Sequence, residues 1–135
     1  GTLIITRLAP GNRGGLRLRI FGSDGGLEWD LENADQLKFN RFGEADRIIS
    51  RGSGHGVSPA TERLIRTARG FQEGIIEAWA NLYTEFAMAV AAGKDGLAVP
   101  DNWLAFPSVK DGADGVRFIE ATVNSNENGG SWEKI

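Results

Sequence analysis

An α+β fold is predicted, an antiparallel open β-sheet meander with two or three helices packed on one face, and three observations predict it. Apolar residues alternate with period two over the first fifty positions, and from residue 58 they recur every three or four. Glycine supplies 19 of the 135 residues, about twice the usual ~7%, so tight turns are frequent. A chain of this length hides roughly two-thirds of its unfolded surface, which suffices for one domain, 1–135, without staples.

The strands come first. Thr2 to Ala9 reads as a strand closed by the turn Pro10-Gly11-Asn12. Leu16, Leu18 and Ile20 alternate with Arg17, Arg19 and Phe21, which sends aliphatics to one face and arginines to the other. Asp24-Gly25 is a strong two-residue hairpin signal, and Leu27-Glu28-Trp29-Asp30-Leu31 alternates again. With those two residues as the turn, Ser23 faces Gly26, Arg19 faces Asp30, Arg17 faces Glu32 and Leu18 faces Leu31, so charge meets charge and apolar meets apolar. Gln36 to Phe42 and Asp46 to Ser50 read as two more strands about a Gly43-Glu44 turn. One face of this meander is apolar and the other charged.

The helices follow. Ser58-Pro59 is an N-cap with proline at the first helical position, opening a short helix to about Thr67. Glu73 to about Ala92 carries Ile75, Ile76, Trp79, Leu82, Tyr83, Phe86 and Val90 on one stripe, with Gly93 as its stop. The helix should lay Ile76, Trp79, Tyr83 and Phe86 on Leu16, Leu18, Leu27, Trp29, Leu37 and Phe39, with Trp79 in a buried core. A loop from Lys94 to Pro107 carries Trp103 and Phe106. Ser108-Val109-Lys110-Asp111 is a variant capping box. The last helix presents Val109, Ala113, Val116, Ile119 and Val123, ends at Asn128-Gly129-Gly130 and leads into a terminal strand, Ser131 to Ile135.

Composition excludes several functions. Fifteen basic against eighteen acidic residues give a net charge of −3, whereas phosphate binding needs a basic excess on one face, so nucleic acid is not the expected partner. There is no cysteine, which removes disulfides, thiolate catalysis and Cys-ligated metal centres and is compatible with a reducing cytoplasm. The single histidine, His55, cannot build a His-rich metal site. No apolar stretch is long enough for a membrane span or signal peptide. The chain opens on Gly1-Thr2-Leu3-Ile4-Ile5 with no initiator methionine, so it reads as an excised piece of a longer chain.

No chemistry-bearing constellation emerges from the residues themselves. Gly52-Ser53-Gly54-His55-Gly56-Val57 falls short of a dinucleotide fingerprint, because Val57 stands where a third glycine belongs and the following helix is short. His55 has no near-sequence carboxylate to orient it. Arg63, Arg66 and Arg69, three apart, could grip a phosphate or carboxylate, although a solvated face explains them more simply. Asp111 is accounted for as a cap, and Asp114 and Glu120 need no catalytic role. Catalytic, cofactor and metal residues are therefore none, and an independent protein- or carbohydrate-binding or assembly module using the open sheet is an alternative to an enzyme.

Several segments are familiar in their order and spacing. Phe71-Gln72-Glu73-Gly74 running into Glu77-Ala78-Trp79-Ala80-Asn81-Leu82-Tyr83, then Phe106-Pro107-Ser108-Val109, Asp111-Gly112, Phe118-Ile119-Glu120-Ala121 and Gly129-Gly130-Ser131-Trp132, resembles the C-terminal end of the glucose-fructose oxidoreductase, inositol dehydrogenase and MocA family. Ala9-Pro10-Gly11-Asn12, Gly15 to Ile20 and Gly25 to Trp29 are similar to that family's sheet. The resemblance implies a two-part enzyme: an N-terminal Rossmann domain that binds NAD or NADP, then a domain whose open sheet shapes the substrate pocket and joins subunits. Its members transfer hydride to or from a sugar, cyclitol or related hydroxyl compound. This chain then corresponds to the substrate and oligomerisation domain with the Rossmann domain absent, inert alone, cytoplasmic, with no membrane partner. Many relatives have a histidine, in a His-Pro-Glu-Gly segment, where Phe71 stands. Phe71 and Gln72 are the implied substrate-side loop, and Arg17, Arg19, Glu28, Asp30 and Lys38 the implied interface of a homodimer or higher homo-oligomer.

Overall fold

Cross-strand hydrogen bonding organises the first half of the molecule, seen in a computed structural model that describes residues 1–52, 58–98 and 106–135. Four strands, β1 (Arg17–Phe21), β2 (Gly25–Asp30), β3 (Gln36–Arg41) and β4 (Arg47–Ser50), form one antiparallel sheet in the order β1-β2-β3-β4. Three helices follow, α1 (Pro59–Glu62), α2 (Ile75–Lys94) and α3 (Val109–Glu127). The architecture is α+β. The chain divides into two units, Gly1–Asn81 and Leu82–Ile135, so that α2 begins in one and ends in the other.

The alternation of side chains places each face of the sheet as expected. Leu18, Trp29, Leu37 and Ile49 make one apolar row across the four strands, and Leu27 and Phe39 continue the same face. Arg17 faces Asp30, Arg19 faces Glu28, and Glu28 faces Lys38 on the other side.

The β1–β2 register differs from expectation by two residues. Arg17, not Arg19, faces Asp30, and Leu18 faces Trp29. Ser23 and Asp24 form the turn, closed by Gly22 N–H donating to the Gly25 carbonyl at 2.8 Å. Gly25 is thereby drawn into β2 opposite Arg41, where a Cβ would run into the Asn40 carbonyl oxygen. Because the strand period is two, the slip preserves both faces. Asp30, freed from Arg19, accepts from Arg17 Nε at 2.9 Å and caps a short 3-10 turn, Leu31–Asn33, through the Glu32 N–H.

Both terminal strands are corrected. Thr2 to Ala9 and Ser131 to Ile135 have no strand structure. A strand exists only through its ladder; β1 pairs with β2 alone, and Leu3, Ile4, Ile5 and Leu8 lie exposed. The Pro10-Gly11-Asn12 turn does form, with Asn12 N–H on the Ala9 carbonyl at 3.1 Å and Gly11 at φ +88°.

Helix limits also move. Ser58 caps α1 as expected, but α1 ends at Glu62: the Leu64 and Ile65 N–H groups turn to the Thr61 and Glu62 carbonyls, three residues back, and the next two, of Arg66 and Thr67, go to the Glu73 carboxylate. The start of α2 shifts from Glu73 to Ile75, with the Glu77 carboxylate accepting the Gly74 N–H at 2.8 Å. Gly93 lies inside α2; the chain turns instead at Gly96, φ +68°, where the Leu97 N–H reaches back to the Ala92 carbonyl. For α3 the Ser108/Asp111 capping box and the Gly129-Gly130 ending both form.

Trp79 is not in a core. Its surface is 53% exposed, Ile76 is more so, and among the described residues no apolar side chain is fully buried. The stripe on α2 has the expected period, yet period fixes which residues share a face and not what covers that face. In the second unit Phe86 meets Phe106 edge-on, ring centroids 5.7 Å apart. Among the described residues one charged side chain is buried, that of Glu85, at 5%.

Candidate functional site

Phe71 and Gln72 lie on the segment between α1 and α2, and side chains rather than regular structure hold that segment. Gln36 faces Ser50 at the ends of β3 and β4, which sets Asp35 opposite Arg51; the Arg51 N–H donates to the Asp35 carbonyl at 2.8 Å. From this anchor the Arg51 guanidinium spreads over five groups. Nε donates to Asp35 Oδ1 at 2.6 Å, Nη1 to the Thr67 carbonyl at 3.3 Å, and Nη2 to Thr67 Oγ1 at 3.1 Å and to the Phe71 carbonyl. Nη1 also lies 3.2 Å from Glu73 Oε1.

Glu73 completes the network from the other side. Its Oε1 accepts the Arg66 N–H at 2.6 Å and the Thr67 N–H, while the Glu73 N–H donates to Asp35 Oδ1. The Thr67 hydroxyl lies 3.0 Å from both Glu73 Oε1 and the Phe71 carbonyl, and its one proton serves one of them at a time. Asn81 of α2 clamps the start of the segment, accepting from Arg66 Nε at 2.7 Å and donating to the Leu64 carbonyl at 2.7 Å. The Arg51 and Glu73 side chains are only 17% and 10% exposed. Arg51 donating to Asp35, together with the Glu73 N–H, holds the Asp35 carboxyl below the usual carboxylate range.

These contacts fix the main chain around Phe71 and leave its side chain out. Phe71 is 67% exposed and Gln72 is exposed. Gly70, at φ +91°, occupies the third position of a turn closed by Phe71 N–H on the Ala68 carbonyl at 3.1 Å. Sequence reasoning placed Glu73 at a helix start, Thr67 at a helix end and Asn81 among the family-like residues without giving any of them a role here, and it missed Asp35 and Arg51.

The remaining candidates separate. Arg63, Arg66 and Arg69 do not share a helical face, because α1 stops before them, and Arg66 is engaged with Asn81. His55 and Trp103 lie outside the described residues. Asp111 caps α3, its carboxyl held low by the Ser108 hydroxyl and N–H, while Asp114 is flanked by Lys110 and Arg117 at 2.5 and 2.6 Å. Glu120 lies further along α3. Among the described residues no three His, Asp or Glu could hold a metal ion, and no helix is long and apolar enough to cross a membrane.

Arg17, Arg19, Glu28, Asp30 and Lys38 do share one sheet face. Arg17 pairs with Asp30, and Lys38 reaches Glu28 at 3.8 Å and Asp46 at 3.4 Å. The Glu32 N–H, then Arg17, hold the Asp30 carboxyl low.

No family model matches the chain. It is 33% identical to an uncharacterized oxidoreductase, YfiI, of Bacillus subtilis, over 98% of this chain and 33% of that protein. Among solved structures, an oxidoreductase from Sinorhizobium meliloti is similar at TM-score 0.84 and 38% identity, over 94% of this chain and 34% of the other. An inositol dehydrogenase homolog from Azotobacter vinelandii, complexed with NADH and myo-inositol, is similar at TM-score 0.82 and 36% identity, over 93% and 33%. The chain thus spans about a third of the length of the relatives it matches.

Proposed function

We propose that the chain belongs to the glucose-fructose oxidoreductase, inositol dehydrogenase and MocA family and is the substrate-side and subunit-contact part of an NAD- or NADP-dependent oxidoreductase. The substrate class is a sugar, cyclitol or related hydroxyl compound, and the chain alone is inert. The observation that carries this reading is the likeness of nearly the whole chain to one third of a protein complexed with NADH and myo-inositol.

The described residues do not fit a dinucleotide by themselves. A pyrophosphate cradle needs a parallel strand passing through a glycine-rich turn into a long helix. Here the sheet is antiparallel throughout, and α1, the helix after the glycine-rich stretch, has four residues with its N-terminus closed by the Ser58 side chain. Cofactor binding is accordingly assigned to the part of the relatives' length that this chain does not span, a Rossmann domain. In this reading Phe71 and Gln72 face the substrate.

The test is oxidation of myo-inositol and a panel of sugars by the longer protein that contains this chain, followed by the absorbance of the reduced nicotinamide. Turnover by the longer protein and none by the 135-residue chain is expected. Failure of the longer protein with every compound and both cofactors refutes the reading.

The face bearing Arg17, Arg19, Glu28, Asp30 and Lys38 is proposed as the contact with a second copy. A two-fold axis lets a face of mixed sign meet itself with opposite charges in register. Sedimentation at low and high salt tests this: salt-sensitive association is expected, and a monomer at both refutes it.

A further inference from the structure

We propose that Arg51 is a positioning residue for substrate: it sets the main chain of the Phe71–Gln72 turn from the rigid edge of the sheet, so that the Phe71 ring is presented as an apolar contact for the C–H face of a hydroxylated ring. This rests on the reading of Phe71 and Gln72 as substrate-facing. Its independent basis is the geometry. The segment from Arg63 to Gly74 has no ladder or helix of its own, so its conformation depends on what its backbone groups bind. Two successive N–H groups, Arg66 and Thr67, converge on one carboxylate oxygen of Glu73, an anion held in a concavity of backbone amides. Two carbonyls, Thr67 and Phe71, are taken by Arg51.

Arg51 is suited to the task because its fork makes several bonds in fixed directions at once. Asp35 and Glu73 both pair with its charge, from different parts of the chain. Asp35 precedes β3 and Arg51 follows β4, so the position of the Phe71 carbonyl is referred to the β3–β4 hairpin rather than to the loop. Main chain held and ring exposed is the arrangement a binding contact requires, since a contact set in advance loses less freedom when ligand arrives. Phenylalanine offers no hydrogen bond, so what it selects is apolar surface: the axial C–H face of a polyol ring rather than a hydroxyl.

The experiment uses the longer protein with NAD+ and myo-inositol as probe, and the variants Arg51→Met, Arg51→Lys, Thr67→Val and Phe71→Ala. Hydrogen exchange reads the lock. Releasing the Glu73 carboxylate from Arg51 should loosen its hold on the Arg66 and Thr67 amides and speed their exchange by about 10-fold or more in Arg51→Met, with β2 and β3 amides unchanged. Thr67→Val, which removes the hydroxyl and keeps the side-chain shape, should do the same more weakly. Kinetics read the positioning: KM for myo-inositol should rise about 10-fold in Arg51→Met, with kcat and the KM for NAD+ little changed. Phe71→Ala should reproduce the KM effect without the exchange effect, and Arg51→Lys should rescue neither.

Unchanged exchange in both Arg51→Met and Thr67→Val overturns the lock and leaves the proposed oxidoreductase standing. Faster exchange with an unchanged KM overturns positioning, because the network is then purely structural. No turnover of any polyol by the unaltered protein refutes the functional reading, and the positioning role with it, whatever exchange shows.

Discussion

Gly25→Ala tests the sheet where a glycine lets two strand backbones approach closely. Gly25 lies in β2 opposite Arg41, and a methyl group there would run into the Asn40 carbonyl oxygen while approaching the Arg41 Cα and the Asn40 carbonyl carbon at 3.2 Å. All three are backbone atoms, so no rotamer change relieves the contact; β3 must retreat from β2. Overpacking of this kind costs about 1–3 kcal/mol. The retreat also loosens the bond from the Phe42 N–H to the Asp24 carbonyl, 2.9 Å long, worth about 1 kcal/mol. The expected loss is therefore about 2–4 kcal/mol. Gly26→Ala is the control: its Cβ meets chiefly the ring of Phe21, at 3.0 Å, and that exposed ring can swing aside. Neither glycine has a positive φ, so backbone strain does not enter the comparison. Urea denaturation followed by tryptophan fluorescence measures both. A loss below about 1 kcal/mol for Gly25→Ala, or a larger one for Gly26→Ala, would refute the reasoning.

The Asp35 carboxyl is held low by Arg51, so its contribution to stability is complete above about pH 4, the unfolded value, and disappears as pH falls through the folded value below it. The difference in urea midpoint between the unaltered chain and Asp35→Asn should thus shrink from about pH 5 to pH 2, and a constant difference would contradict the Arg51 contact. Gly115→Ala, in the α3 interior with nothing within 4 Å of the added methyl, should stabilise by about 0.5–1 kcal/mol in the same assay. Trp79→Ala, at a site 53% exposed, should cost under about 2 kcal/mol in the isolated chain, well short of the ~3–5 of a buried aromatic.

Which parts were legible in the sequence follows from what each feature depends on. The two faces of the sheet depend only on the period of two, and Leu18, Trp29, Leu37 and Ile49 fall on one row despite the register slip. The α3 ends depend on local chemistry, and Ser108, Asp111, Gly129 and Gly130 announce them. Register was not legible because Asp24-Gly25 reads as a turn, while the closeness of the Asn40 carbonyl, a tertiary fact, calls Gly25 into β2. Leu3, Ile4 and Ile5 have the composition of a strand, but a strand needs a neighbour that the alternation does not name. Nothing in the sequence around Glu62 names the distant Glu73 carboxylate that takes the Arg66 and Thr67 N–H groups once the ladder has tightened at Leu64 and Ile65. Arg51 and Asp35 stand sixteen residues apart; the pairing of Gln36 with Ser50 is what makes them partners. Glu85 lies on α2 outside the stripe of Ile75, Trp79 and Phe86, and the helical period gives no sign that an acid is buried there.

The most direct test of the account is a fluorescence titration of NADH and NADPH into the 135-residue chain, run beside the longer protein proposed to contain it. Saturable micromolar binding by the longer protein and none by the chain is the result expected of a substrate-side part whose cofactor is held elsewhere. Micromolar binding by the chain alone, with oxidation of a polyol, would contradict it.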